Sequence, residues 1–118
     1  MEAPTLTSAE KLMAEVALNL QALVQHTLDN VAKPPRGSIK EVGHYRVLKK
    51  KLGSKEFNAL GQVLDELAYN VASTLFATLD GTIESEIPDF PKVSLVEEGT
   101  QTPLVESLQE AFADVWEE

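Results

Sequence analysis

The chain of 118 residues has no cysteine. That excludes a disulfide scaffold, a thiolate metal site, a cysteine nucleophile and a redox motif. Histidine is almost as scarce, with only His26 and His44. This argues against histidine-rich metal centres and against most histidine-based catalysis. No apolar run approaches the roughly 20 residues of a membrane span. The first residues, Met-Glu-Ala-Pro, carry neither a basic leader nor an apolar stretch, so no signal peptide is read and a cytoplasmic location is expected. There is no glycine-rich phosphate loop, and no cofactor is expected. Basic residues are outnumbered, 10 against 19 acidic ones, for a net charge of -9.

What remains is the material of a globular domain, 43% hydrophobic and 25% charged. This length fits one domain, and a single helical domain over 1–118 is expected. Leu12, Met13, Val16, Leu20, Leu23, Val24, Leu28 and Val31 recur at helical steps, predicting a helix from Ser8 to Ala32. Thr7 and Glu10 have capping-box spacing, and Pro34 and Pro35 stop the helix. Ser38 and Glu41 repeat that spacing ahead of a second helix, with Gly53 at its end. Ser54 caps a third, whose stripe Phe57, Leu60, Leu64, Leu67, Val71, Leu75 and Leu79 is expected to face the core, with Val63, Ala68, Ala72 and Phe76 widening the apolar face. Gly81 ends it.

The stretch from about 82 to 101 is irregular and acidic, broken by Pro88 and Pro91. It allows one short strand near 92–97, with no obvious pairing partner. Thr102 as N-cap and Pro103 in the first turn predict a last helix with Leu104, Leu108, Phe112, Val115 and Trp116 on its apolar face. The expected fold is therefore all-α, a compact bundle of about four helices. Its core is expected to hold Leu20, Leu23, Leu64, Leu67, Val71, Leu75 and Phe112. The breadth of the third helix's apolar face also predicts self-association, most simply as a homodimer.

Charge is distributed unevenly. Eight of the ten basic residues fall between Lys33 and Lys55, a segment with one acid and a net charge of +7. Residues 56–118 carry -13. Small acidic proteins that block a basic toxin or nuclease have this character. The function expected is thus non-enzymatic: an acidic interaction protein of the inhibitor or immunity type that binds a basic protein partner. Its surface is assigned to Glu97, Glu98, Glu106, Glu110 and Asp114, within an acidic run that also includes Glu84, Glu86, Asp89, Glu117 and Glu118.

The alternative is a nucleic-acid-associated regulator working through residues 36–55. Arg36, Arg46, Lys49, Lys50, Lys51 and Lys55 would contact phosphates. The helix, the turn at Leu52-Gly53-Ser54 and the following helix resemble a helix-turn-helix in outline. Against this, the helix after the turn is apolar and acidic, with Asp65 and Glu66 where a recognition helix needs base-reading polar groups. No membrane partner is expected.

Leu79-Asp80-Gly81-Thr82-Ile83-Glu84-Ser85 resembles the D-x-D-G-T signature of haloacid-dehalogenase phosphatases. The nucleophilic aspartate would fall on Thr78, which cannot form an aspartyl phosphate. Asp80-Gly81 is read as a helix stop. Tyr69, Asn70, Ser73 and Thr74 are read as polar groups that bond to neighbouring helices or face water.

Overall fold

A computed structural model describes residues 6–82, 86–104 and 106–116. Ile83, Glu84, Ser85, Glu117 and Glu118, invoked above, lie outside the described residues. The protein is mostly α, with 69% of the described residues helical. Among the described residues, four helices, α1 (Ser8–Ala32), α2 (Ile39–Lys51), α3 (Ser54–Asp80) and α4 (Leu108–Trp116), accompany one antiparallel pair, β1 (Val96–Glu97) and β2 (Thr102–Pro103). No helix among the described residues is long and apolar enough to cross a membrane.

Local chemistry sets the helix ends. At the start of α1, Thr7 and Glu10 form a reciprocal capping box. The Glu10 amide donates to Thr7 Oγ1, and the Thr7 amide donates to Glu10 Oε1, both at 3.1 Å. At α2 the Glu41 amide donates to Ser38 Oγ at 3.2 Å. α3 stops at Gly81, which takes φ 75°, a conformation that strains any residue bearing a Cβ. The Thr82 amide then returns to the Ala77 carbonyl, and the Gly81 amide to that of Thr78. This is the paired closure that a left-handed residue after the last turn permits.

The expected start of the last helix is corrected. Thr102 and Pro103 are the second strand, paired with Glu97 and Val96 respectively. The short strand expected near 92–97 exists only at Val96 and Glu97, and its partner is this pair. Pro103 lacks an N–H, which an edge position tolerates. A turn over residues 98–101 joins the strands, with Gln101 at φ 56°. The helix begins only at Leu108, after Ser107, whose Oγ accepts the Glu110 amide at 3.2 Å.

The contacts divide the chain into two compact units, Met1–Leu18 with Tyr69–Glu118, and Asn19–Ala68. In the first, Ala9, Met13, Ala17, Ala72, Phe76, Ala77, Leu108, Ala111 and Phe112 are buried. Five of these nine are alanines, whose small side chains let helix backbones approach closely. The aromatic rings of α3 and α4 interlock there. Phe112 lies 5.6 Å from Tyr69, 5.2 Å from Phe76 and 5.5 Å from Trp116, centroid to centroid. In the second unit only Val24 and Val31 are buried among the described residues. α2 contributes none.

The expected core is therefore only partly correct. Phe112 is fully buried, and Leu20 and Leu64 are half-buried. Leu23, Leu67, Val71 and Leu75 are more than half exposed. Hydrophobicity alone favoured that α3 stripe, but α4 docks on the neighbouring face. There Tyr69 stacks on Phe112, and Ser73 Oγ accepts a hydrogen bond from Gln109 Nε2 at 3.0 Å. Polar groups and rings together chose the buried face.

Candidate interaction surfaces

The acidic surface lies in the unit formed by Met1–Leu18 and Tyr69–Glu118. That unit holds 14 acidic residues and two basic ones, Lys11 and Lys92, for a net charge of -12. Glu97, Glu98, Glu106, Glu110 and Asp114 are all exposed. Glu110 and Asp114 stand four apart on α4 and so share a helix face. Two of the others are tied to the start of α1. Ser8 Oγ donates to Glu97 Oε2 at 2.8 Å, and Thr7 Oγ1 donates to Glu106 Oε2 at 3.2 Å. No ion pair forms among the described residues, so none of these five carboxylates is neutralised by a neighbouring cation.

One acid has a different task, and sequence reasoning missed it. Asp80, the last residue of α3, accepts three hydrogen bonds. Its Oδ1 takes the Leu108 amide at 3.0 Å, and its Oδ2 takes the Gln109 amide at 3.0 Å and the Ser107 hydroxyl at 2.9 Å. These are orphan donors at the start of α4. The signal was present: an aspartate at a helix C-terminus opposes the helix dipole, and so calls for a compensating partner.

The basic residues lie in the unit Asn19–Ala68, with eight cations against five acids for a net charge of +3. Arg46, Lys49 and Lys50 are brought together with Pro34 at one open cavity. Lys49 also borders a second cavity of about 410 Å³, floored by Val31, Leu52 and Phe57. Arg46 is held by its Nη2, which donates to the Gly37 carbonyl at 3.1 Å. Arg36, Lys51 and Lys55 are exposed and line neither cavity.

Neither histidine joins a catalytic constellation. His44 is exposed and lies 4.1 Å from the Tyr45 ring, and His26 is exposed on α1. No group of three His, Cys, Asp or Glu side chains among the described residues could hold a metal ion.

A third surface is apolar. On α3, Val63, Leu67, Val71 and Leu75 are 59%, 57%, 60% and 55% exposed. They follow at steps of four, which makes them one ridge of the helix. No protein-family model matches the chain, and no curated protein or solved structure is significantly similar to it.

Proposed function

We propose that this protein is a non-enzymatic interaction protein that binds a basic protein partner through its acidic unit, in the manner of an inhibitor or immunity protein. The observation that carries this reading is a net charge of -12 on one unit, whose described exposed carboxylates form no ion pair. Such a field speeds encounter with a cationic surface and makes association salt-dependent. Glu110 and Asp114 give it a fixed helical face, and Glu97 and Glu106 are anchored to the α1 start by Ser8 and Thr7.

The test is capture of interacting proteins by the parent chain and by a variant with Glu97, Glu98, Glu106, Glu110 and Asp114 changed to lysine. The parent should retain a basic protein that the variant loses, with association slowed by about tenfold or more and the helical content unchanged. A control reversal at Glu15, exposed on α1 in the same unit, should leave capture nearly intact. Equal loss in both variants would reduce the surface to bulk charge and overturn the assignment.

A second reading draws support from α2, whose Lys40, Lys49, Lys50 and Lys51 are exposed on a helix with no buried residue. These cations could take a nucleic-acid backbone. Under the favoured reading, duplex DNA is not bound at physiological salt. A gel shift that weakens with salt, and that is abolished by Lys49→Glu, Lys50→Glu and Lys51→Glu together, would make the regulator the better description.

A further inference from the structure

We propose that the cavity between the end of α3, the β1–β2 hairpin and the start of α4 receives an arginine side chain of the basic partner. The proposal rests on the reading of the acidic unit as the binding surface and names what that surface grips. The cavity lies wholly within that unit. Its volume of about 450 Å³ falls in the range of pockets that hold a ligand.

The walls are apolar. Leu79 closes one side from the last turn of α3, and the buried Leu108 closes another from the first turn of α4. Val93 and Leu95, ahead of β1, form a third. The Leu104 amide donates to the Leu95 carbonyl at 2.8 Å, which holds Leu104 across from it. Val93 and Leu95 are 47% and 37% exposed, so part of this lining still meets water.

Two carboxylates share the lining, Asp80 and Glu106, and no cation does. Lys92 precedes Val93 in the chain but does not border the cavity. Asp80 is met only by neutral donors, two amides and the Ser107 hydroxyl. They spread its charge without cancelling it. A carboxylate offers about four acceptor positions, so one on Oδ1 is still open. Glu106 Oε2 accepts the Thr7 hydroxyl, and its Oε1 takes no hydrogen bond among the described residues. The two helix ends at the cavity carry about half a charge each, of opposite sign, and offset one another. Two full negative charges remain.

Charge and lining together select the occupant. A wholly apolar side chain would fit the walls but would take water from both carboxylates and return nothing. An aliphatic stem with a cationic head satisfies walls and carboxylates at once. Arginine suits better than lysine, because its guanidinium is more weakly hydrated and its planar fork can bond two acceptors. Arginine is also among the residues that most often anchor protein interfaces from within a pocket. The charge of -12 speeds encounter, and a filled pocket slows departure.

The test titrates the full chain with N-butylguanidinium, which carries the stem and head of an arginine, and follows the backbone amides by NMR. Those of Val93, Leu95, Leu104 and Leu108 should shift together and saturate. Binding should be about tenfold tighter than that of guanidinium or of 1-butanol, since each buried methylene contributes up to about fourfold. Glu106→Gln should weaken it by about tenfold, the worth of a hydrogen bond to a charged group. Asp114→Asn, on α4 but outside the cavity, should change it by less than about twofold. If 1-butanol binds as tightly as N-butylguanidinium, the cavity is simply apolar and the proposal falls. Equal losses at Glu106 and Asp114, or shifts that do not saturate, would also overturn it. A basic protein lost by the five-site lysine variant, yet held in full by Glu106→Gln with Val93→Ser, would overturn the pocket and leave the acidic surface standing. Failure to capture any basic protein would instead overturn the acidic surface, while the titration, which needs no partner, still decides the pocket. Should a variant lose helical content, the three probes on the parent chain decide alone.

Discussion

Ser107 donates its hydroxyl proton to Asp80 Oδ2 at 2.9 Å while its own oxygen accepts the Glu110 amide at 3.2 Å. One serine is thus the N-cap of α4 and the link to the end of α3. Asp80 completes the cap from outside by taking the next two amides, those of Leu108 and Gln109. A nine-residue helix is too short to be stable in isolation. Its position rests on this cap together with the burial of Leu108, Ala111 and Phe112.

Asp80→Ala should therefore destabilise the protein by about 1–2 kcal/mol, the upper part of the range for a lost helix cap, because three donors lose their acceptor. Asp80→Asn, which keeps one acceptor oxygen, should fall between. The measurement is the urea midpoint of each variant. An alanine variant as stable as the parent would show that Ser107 caps α4 unaided.

Phe112→Ala should cost about 3–5 kcal/mol, since the side chain is fully buried and touches three other rings. Leu67→Ala should behave differently. Its intrachain cost should stay within about 0.5 kcal/mol, because the side chain is mostly exposed. A large loss at Leu67 would show that it lies in a core after all.

These residues show how far the sequence could be read. Helical periodicity, two capping boxes and Gly81 located α1, α2 and α3, because helix ends are written in local side-chain chemistry. The burial of α3 was legible only in part, at Ala72 and Phe76. Its most apolar row, Leu67, Val71 and Leu75, outscored the row containing Tyr69 and Ser73, yet the latter meets α4. That choice depends on a helix forty residues away, which no local pattern encodes. The same limit hid Asp80, whose partners are 27 to 29 residues distant. Thr102 and Pro103 became a false helix start for a different reason: they close a local hairpin with Val96 and Glu97, whose turn over 98–101 needs a positive φ at Gln101 that its residue type does not announce. Charge segregation was plain from the order of residues, and Glu97, Glu98, Glu106, Glu110 and Asp114 are all exposed.

Gly81→Ala should destabilise by about 1–2 kcal/mol although no atom crowds the new methyl group. The cost lies in backbone conformation, since φ there is 75°. Gly99→Ala is the control, with equally open space and no positive φ, and should be near neutral. Equal losses at both sites would place the effect elsewhere.

Amide hydrogen exchange should rank the helices. α2 has no buried residue, so its amides should exchange through small local openings. Those of Ala72–Ala77 and of Phe112 should be slowest, approaching the global unfolding limit. Protection of α2 equal to that of α4 would mean that something covers it in solution.

The clasp between Asp80 and Ser107 also bears on how this protein can change over time. It fixes both ends of the excursion that carries Glu97, Glu98 and Glu106, so the junction of α3 with α4 is held by residues outside that excursion. Lengthening a closed loop costs little, about 0.6 kcal/mol per doubling. Insertions, deletions and charge exchanges in residues 86–104 can accumulate there without passing through an unfolded ancestor. Descendants of this chain should therefore diverge first in that excursion while inheriting the scaffold unchanged.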